Sequence, residues 1–318
     1  MIDYLFILIG FSILIVGAHF LVEGASGMAK RFNVSNLVIG LTVVAFGTSA
    51  PELVVNLVAA LNPDTTDLAL TNIIGSNMIN TFVILGVAAL IFPIISQKSS
   101  RRFDIPLSLF APIAIMLLAF TMGGAITQIG GVLLLMVFGW FIFSNIRKAI
   151  KHPEISDGED FKPMKIWLAA LMILGGLGAL IGGAQLIVPA ATNIAVSWGV
   201  SQSIIGLTIV ALGTSLPELA TSAVAAFKRN SDIALGNVIG SNIFNVFFVL
   251  STSAIISPLP AYNNMYIDLI VTALGSLLVI LMIYSNKLRQ INRWGGALLL
   301  VAYILYIIWM IWNTNTVS

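Results

Sequence analysis

The chain has 318 residues, of which 58% are hydrophobic and 9% charged, and its mean hydropathy is +1.03. This composition excludes a soluble globular domain, because a single core could not bury so much apolar surface, and it predicts a membrane protein. The net charge is +2 and cysteine is absent, which excludes disulfides, thiolate metal sites and cysteine nucleophiles.

Ten apolar stretches approach the roughly 20 residues that are needed to cross hydrocarbon about 30 Å thick. We therefore expect an all-α membrane protein with ten transmembrane helices. In chain order, these helices are predicted near residues 2–28, 35–61, 68–92, 104–122, 128–146, 166–192, 203–227, 233–257, 268–285 and 294–312. Asp3 stands where a cleaved signal peptide would be basic, so the first helix is predicted to be a permanent span.

The basic residues support this topology, because Lys and Arg accumulate in short cytoplasmic loops. All 15 of them follow the first, third, fifth, seventh or ninth predicted helix. Lys30 and Arg31 follow the first helix, for example, and Lys228 and Arg229 follow the seventh. We expect a multi-pass protein of the cell membrane with both termini extracellular. Since the loops account for every basic residue, the charge gives no indication of nucleic-acid binding.

The sequence contains one long internal repeat. "VIGLTVVAFGTSAPE" at 38–52 returns as "IIGLTIVALGTSLPE" at 204–218, and "DLALTNIIGSNMIN" at 67–80 returns as "DIALGNVIGSNIFN" at 232–245. Because each copy spans an odd number of helices, the second copy is predicted to be inverted in the membrane. Inverted repeats are typical of secondary transporters, which bind substrate near the midplane between the copies.

This repeat divides the chain into three parts. The first five-helix repeat is predicted over 1–146, a cytoplasmic linker over 147–165, and the second five-helix repeat over 166–318. No separate soluble domain is expected.

Each copy places a proline inside a predicted helix. Pro51 and Pro217 cannot donate a backbone hydrogen bond, so they should release carbonyl groups near Gly47 and Gly213. Irregular backbone at this depth is tolerated where protein covers it or where it lines a wet cavity. The released carbonyls would be good ligands for hard cations.

Glu52 and Glu218 follow these prolines directly. Placing an acidic residue at the middle of a membrane costs about 2.5 to 3.5 kcal/mol. No Lys or Arg is predicted inside the membrane to neutralise either charge, so we expect both glutamates to bind a cation. Ca2+ takes six to eight oxygen ligands.

Further oxygen-bearing side chains recur at three- and four-residue spacing, which gives each of the second, third, seventh and eighth predicted helices a polar face. They are Thr48, Ser49, Asn56, Asn72, Ser76 and Asn80 in the first copy, and Thr214, Ser215, Ser222, Asn237, Ser241 and Asn245 in the second. The alternative is that small and polar side chains only pack helices together. For Asn72, Asn77, Asn237 and Asn242 both interpretations remain open.

The motifs "GTSAPE", "GTSLPE", "GSNMIN" and "GSNIFN" resemble those of the cation/calcium exchanger superfamily, in particular the prokaryotic sodium/calcium exchangers. The resemblance extends over essentially the whole chain. It implies that Glu52 and Glu218 are the central Ca2+ ligands, assisted by the backbone carbonyls of Thr48 and Thr214. It also implies that the first and sixth helices slide as a gate across a static core.

The resemblance implies sodium sites as well. The residues it assigns to them are Ser49, Ser215, Ser76 and Ser241, together with the carbonyls of Ala45 and Ala211. Asn80 and Asn245 complete the predicted ligand set. Many sodium/calcium exchangers carry an aspartate where this chain has Asn245, so the predicted pocket holds two carboxylates rather than three, and the number of coupled Na+ ions stays open.

We predict a secondary antiporter that exchanges Ca2+ for Na+ by alternating access, is not an enzyme, needs no cofactor, and works as a monomer in the lipid bilayer. The main alternative is an antiporter that couples H+ to Ca2+ or another divalent cation. A Ca2+ channel, an intramembrane hydrolase and a purely structural membrane protein are weaker alternatives. The hydrolase would have to use His19 or His152, and neither lies in the repeated motif.

Overall fold

The computed structural model describes four stretches of the chain, residues 2–62, 66–151, 163–198 and 211–317. Within them, eight helices are long and apolar enough to cross a membrane, and a ninth is added if the bent pair Asn36–Thr48 and Ala50–Leu61 forms one span. The chain is therefore an all-helical, multi-pass membrane protein.

The first half contains nine helical segments. They are α1 (Ile2–Phe32), α2 (Asn36–Ile39), α3 (Ala45–Thr48), α4 (Ala50–Leu61), α5 (Thr66–Ile79), α6 (Leu85–Ile91), α7 (Lys98–Arg102), α8 (Asp104–Thr121) and α9 (Gln128–Lys151). A π-helical turn at Gly40–Val44 joins α2 to α3, and another at Asn80–Ile84 joins α5 to α6.

The second half follows the same order in its described part. Its helices are α10 (Ile166–Ser197), α11 (Ala211–Thr214), α12 (Leu216–Phe227), α13 (Ser231–Phe244), α14 (Ser251–Ile256), α15 (Met265–Ser285) and α16 (Arg293–Val317). A π-helical turn at Asn245–Leu250 joins α13 to α14, at the position equivalent to the turn between α5 and α6.

Helices occur near every predicted range, and four are longer than expected, including α16, which continues to Val317. α1 continues to Phe32 and α10 to Ser197, while α9 continues to Lys151, inside the predicted linker. Lys30 and Arg31 lie in the last turn of α1. Their positive charges interact favourably with the negative end of the helix dipole, which stabilises the extra turn of α1. The beginning of the seventh predicted span and most of the linker, 199–210 and 152–162, lie outside the described residues.

Four two-residue strands are an addition to the all-α prediction. β1 (Ile94–Ile95) pairs with β4 (Gln290–Ile291), and β2 (Ala125–Ile126) pairs with β3 (Leu259–Pro260), both antiparallel. Strands this short carry no alternation that a sequence could reveal. Each ribbon joins a loop of the first half to a loop of the second, so the halves are interlocked.

The middle of the bundle is formed by α5–α6 and α13–α14. Nearly every residue of α13 is buried, including Asn237, Ser241 and Asn242. By contrast, α1, α9 and α16 expose many large apolar side chains, as expected of helices that face lipid. The polar residues of the motifs therefore lie on the most enclosed helices.

α1 and α10 pack against each other along glycines. A Cβ added to Gly17 would lie 2.9 Å from the carbonyl oxygen of Gly176, and one added to Gly10 would lie 2.9 Å from that of Gly183. Small residues of this kind let two membrane helices approach closely. The two long helices thus form a tightly joined pair beside the bundle.

Candidate functional site

In both copies of the motif the helix is interrupted at the serine that lies two residues before the proline. Ser49 has φ −83° and ψ 8°, and Ser215 has φ −88° and ψ 5°. At Ser49 the helix axis bends by 47°. Pro51 and Pro217 lie in the first turn of the helices that follow, where the missing N–H is tolerated. The predicted interruption is confirmed, two residues beyond Gly47 and Gly213.

Glu52 and Glu218 are both fully buried, each with 0% exposure. The Ser49 hydroxyl donates a hydrogen bond of 2.9 Å to Oε1 of Glu218, and the Ser241 hydroxyl donates one of 3.4 Å to the same oxygen. A serine of the first copy therefore binds the carboxylate of the second. The two carboxylates also interact electrostatically, and Thr214 and Ser215 lie beside Glu52.

Several side-chain oxygens in this region have no hydrogen-bond partner within the part of the chain that the structure describes. They are both carboxylate oxygens of Glu52, Oε2 of Glu218, the hydroxyls of Ser76 and Ser215, and Oδ1 of Asn80 and Asn245. Leaving a buried polar atom unpaired is costly, and buried carboxylates are normally paired or bound to a metal. These oxygens come from both copies of the motif and are the donor set that a hard cation prefers.

Asn237 holds two of the motif helices in place. Its Oδ1 accepts a 3.0 Å hydrogen bond from the Thr48 hydroxyl, and its Nδ2 donates to Ser222 Oγ at 2.9 Å and to the carbonyl of Glu218 at 3.2 Å. The side chain of Thr48 is thus used for packing, which is consistent with a ligand role only for its carbonyl. Asn72 similarly donates a 2.7 Å hydrogen bond to Asn56 Oδ1.

Asn245 has its amide nitrogen fixed and its oxygen free. Nδ2 donates a 3.0 Å hydrogen bond to Asn77 Oδ1, and Nδ2 of Asn77 donates a 3.1 Å bond to the carbonyl of Asn242. These asparagines bridge α5 and α13 across the two halves, so packing explains Asn77. The same contacts leave Oδ1 of Asn245 as the end that a cation can use.

The remaining predicted ligands are backbone carbonyls, and the carbonyl of Ala45 already accepts hydrogen bonds from the protein. The carbonyl of Ala45 already accepts hydrogen bonds from the Ser49 N–H at 3.0 Å and the Thr48 hydroxyl at 3.3 Å, so binding Na+ would require it to give up one of them. Ala211 begins α11 and Thr214 ends it. Ligand roles for these residues remain predictions.

The sequence did not reveal two contacts that join α1 to the corner between α12 and α13. Glu23 forms a 2.6 Å ion pair with Lys228. Asn230 donates a 3.2 Å hydrogen bond to the Ser26 hydroxyl. Pro189 stands at the repeat-related position of Glu23, so the repeat gave no signal for this carboxylate.

Asn242 also donates to two hydroxyls that the sequence did not single out. Its Nδ2 contacts Thr81 Oγ1 at 2.9 Å and Ser108 Oγ at 3.5 Å. Val246 occupies the position of Thr81 in the second copy. Because the polar residue is not duplicated, the comparison between copies could not identify it.

The sequence profile of the family "Sodium/calcium exchanger protein" matches residues 2–147 and 168–312. The chain belongs to the sodium/calcium exchanger family. The resemblance that the motifs predicted is therefore confirmed, and it extends over both halves of the chain.

Two curated relatives cover nearly the whole exchanger. The putative antiporter CaxA of Alkalimonas amylolytica is 37% identical over 314 residues, covering 95% of this chain and 96% of the relative. The sodium/calcium exchanger MaX1 of Methanosarcina acetivorans is 29% identical over 353 residues, covering 96% of this chain and 98% of the relative. The named relatives are antiporters and exchangers.

A solved structure has the same fold. The sodium-calcium exchanger NCX_Mj, soaked with zero Na+ and Ca2+, superposes with a TM-score of 0.82 at 33% sequence identity, covering 97% of this chain and 98% of that one. Other structures of NCX_Mj soaked with Na+ together with Ca2+ or Sr2+ match equally well. The fold of this exchanger is thus that of NCX_Mj over almost its full length.

Proposed function

We propose that this exchanger is a secondary antiporter that moves Ca2+ against Na+ across the cell membrane by alternating access. The carrying observation is the group of buried oxygens that lack a protein partner, above all the whole carboxylate of Glu52. Such a group is unfavourable unless a cation binds to it. The names of MaX1 and NCX_Mj indicate Na+ and Ca2+ as the ions.

The architecture we propose is ten spans arranged as two inverted five-helix repeats, 1–146 and 166–318, joined by a cytoplasmic linker. Several paired features support it. α5 and α13 each have 14 residues, each runs into a π-helical turn that begins with an asparagine, and the two motif serines adopt nearly the same backbone angles. The distribution of Lys and Arg supports extracellular termini.

The proposed site lies near the midplane, between the two halves. Glu52 and Glu218 supply two negative charges, which balance one divalent cation. The oxygens of Asn80 and Asn245 and the carbonyls of Thr48 and Thr214 would add ligands for Ca2+. The serine hydroxyls and the carbonyls of Ala45 and Ala211 would take part in binding Na+.

Exchange follows if Na+ and Ca2+ compete for overlapping ligands. Returning across the membrane without an ion would carry two unpaired carboxylates through a low-dielectric region, which is costly. The site therefore changes its exposure mainly when it is loaded with one kind of ion or the other. This competition couples the two fluxes.

The glycine-packed pair α1 and α10 is the proposed gate. Leu177 and Val188 of α10 lie over Gly47 and Gly213, so closely that a Cβ on either glycine would overlap them. Sliding this pair would uncover the motif on one side and cover it on the other. A cleft of about 450 Å³ already lies between α10 and the motif, where it borders Pro51 and Thr214.

The proposal is tested by measuring radioactive Ca2+ uptake into proteoliposomes. We expect uptake when Na+ is loaded inside and diluted outside, none when the Na+ concentrations are equal, and weaker uptake at lower pH because protons compete for the carboxylates. The Glu52→Gln protein is the matched control and should give no uptake above that of protein-free vesicles.

Other outcomes identify the alternatives. Full uptake driven by a proton gradient without Na+ would replace the sodium assignment by H+ coupling. Uptake that needs no opposing ion gradient would indicate a channel. The hydrolase alternative has little support, because His19 is exposed on α1 and His152 lies outside the described residues.

We further propose that the exchanger is a monomer. The predicted ligands all come from one chain, and its two halves are interlocked by the β1–β4 and β2–β3 ribbons. Cross-linking in membranes, followed by mass measurement, tests this. A cross-linked dimer that alone carries the flux would contradict it.

A further inference from the structure

A second cavity lies among three helix ends and shares no lining residue with the motif. It has a volume of about 700 Å³ and opens between the end of α6, the end of α12 and the beginning of α16. Its wall includes Phe92, Phe227, Arg229, Arg293 and Trp294. Lys and Arg cluster in the loops on this side, which places the cavity at the cytoplasmic surface of the membrane.

The cavity is positively charged. Two of its lining residues are arginines, and none of the nine lining residues is acidic. The first turn of α16, which contains Arg293, has no acidic residue either, so the positive end of this helix dipole adds to the charge of the guanidinium. An anion in the cavity would be stabilised.

Arg229 occupies this position at a conformational cost. Its φ is 56°, in the left-handed region, where the corner after α12 is closed by Arg229 N–H to Ala226 O at 2.9 Å and Asn230 N–H to Ala225 O at 2.8 Å. Glycine is the usual residue at this point of such a corner, and most other residues are strained there. The guanidinium carbon of Arg229 lies over the Phe92 ring, 6.0 Å from its centre.

The exposed aromatic residues of the cavity indicate which kind of anion it binds. Phe227 is 81% exposed and Trp294 is 85% exposed, and both stand at the membrane surface beside the arginines. Aromatic rings at this depth contact the region between headgroups and acyl chains, whereas a soluble phosphate would gain nothing from them. A guanidinium group can donate two parallel hydrogen bonds to the oxygens of one phosphate.

We propose that this cavity, the α6–α12–α16 cavity, binds the phosphate headgroup of an anionic phospholipid from the cytoplasmic leaflet. Arg229 and Arg293 hold the phosphate, and Phe227 and Trp294 contact the upper part of the acyl chains. Basic pockets between membrane helices on the cytoplasmic side are typical sites for such lipids. The proposal does not depend on which ions the protein exchanges.

Lipid retention by the purified protein tests the proposal. The protein is extracted from vesicles of equal parts phosphatidylglycerol and phosphatidylcholine, and bound lipid is measured by native mass spectrometry. We expect preferential retention of phosphatidylglycerol, reduced about 25-fold in the Arg229→Gln/Arg293→Gln protein, since each arginine that contacts the phosphate contributes about fivefold. The matched control is Lys98→Gln/Arg102→Gln, which removes two exposed charges from the same face outside the cavity and should retain phosphatidylglycerol as the parent does.

Two further arms keep the result decisive. Arg229→Gly removes the charge and relieves the backbone strain, so it should fold at least as well as the parent and still lose about fivefold in retention. Equal loss in the Lys98→Gln/Arg102→Gln control, or no loss in Arg229→Gly, would overturn the proposal. Displacement of the lipid by excess inorganic phosphate would assign the cavity to a soluble anion instead.

Discussion

The two motif glutamates occupy equivalent positions in the repeat but have different surroundings. Glu218 accepts hydrogen bonds from Ser49 and Ser241. The equivalent donors for Glu52 would be Ser215 and Ser76, yet both of those hydroxyls lack a partner, as do both carboxylate oxygens of Glu52. The sequence symmetry therefore does not extend to the hydrogen bonds of the site.

This difference shows that two carboxylates related by a repeat can contribute differently to ion binding. Two serine hydroxyls position Glu218 before an ion arrives, whereas Thr214 and Ser215 lie beside Glu52 without a hydrogen bond of ordinary geometry. Hydrogen bonds to a charged group stabilise a protein by about 1.5–3 kcal/mol each. Binding of a cation therefore stabilises Glu52 of the first copy more than Glu218 of the second copy, which the protein already holds in place.

The largest expected effect comes from neutralising either acid. Glu52→Gln and Glu218→Gln should each weaken Ca2+ binding at least about 100-fold, which corresponds to about 2.7 kcal/mol, because the ion loses a charged ligand. Calcium titration of the purified proteins measures this. In the ion-free state, Glu52→Gln should raise the thermal stability more than Glu218→Gln, since only the latter loses two charged hydrogen bonds; the reverse order would refute the comparison.

The serines should differ in a similar way. Ser49→Ala removes a donor from Glu218 and should lower the stability of the ion-free protein by about 2 kcal/mol. Ser215→Ala, the matched control, removes a hydroxyl that lies beside Glu52 without a hydrogen bond of ordinary geometry, and it should lower the stability less than Ser49→Ala does. Thermal denaturation in the absence of Na+ and Ca2+ measures both. Equal losses would mean that the two serines are equivalent after all.

Asn245→Asp adds a third carboxylate at the position where the two halves meet. We expect Ca2+ binding to become about tenfold tighter, because affinity increases with the number of charged ligands. The net charge that crosses the membrane in each transport cycle should also change. The ion-free protein should be less stable, since an aspartate cannot donate to Asn77 Oδ1. Electrical recordings of proteoliposomes on a solid support measure the charge. An unchanged affinity would place Asn245 outside the ion site.

The smallest expected effect concerns the ion pair between α1 and the end of α12. Glu23→Gln breaks the contact with Lys228, a partly exposed pair of the kind that stabilises a protein by at most about 1 kcal/mol. The exchange rate should therefore change by up to about fivefold while the ion affinities stay the same. The Glu23→Gln/Lys228→Gln protein should behave like either single variant. Additive effects of the two changes would show that the pair does not act on the gate.

Much of the fold could be predicted, because the hydrophobic stretches and the loop charges are strong signals. The break before Pro51 followed from the chemistry of proline. The strand pair Ile94–Ile95 and Gln290–Ile291 could not be predicted, since two residues carry no periodicity and the partners are almost 200 residues apart. The π-helical turn that begins at Asn80 was also missed, because nothing in the composition of that turn distinguishes it from an α-helix.

The site was predictable as a group of residues but not as a set of contacts. The duplicated "GTS" and "PE" residues identified Glu52, Glu218 and their neighbours. Which serine donates to which glutamate depends on the side-chain positions in the folded protein: Ser49 donates to Glu218, whereas the related hydroxyl of Ser215 makes no hydrogen bond. The ion pair between Glu23 and Lys228 could not be predicted either, because the two residues are close only after α1 has packed against α12.

The two ribbons bear on how such a chain could have originated. If the halves are inverted copies, β1 and β2 of one copy close only on β4 and β3 of the other. A single ancestral five-helix unit that inserted in both orientations could have closed the same ribbons between two separate molecules. Fusion of the two genes would then have made permanent an antiparallel association that the loops already favoured. Separately expressed halves that reassemble in one membrane would carry a trace of that ancestor.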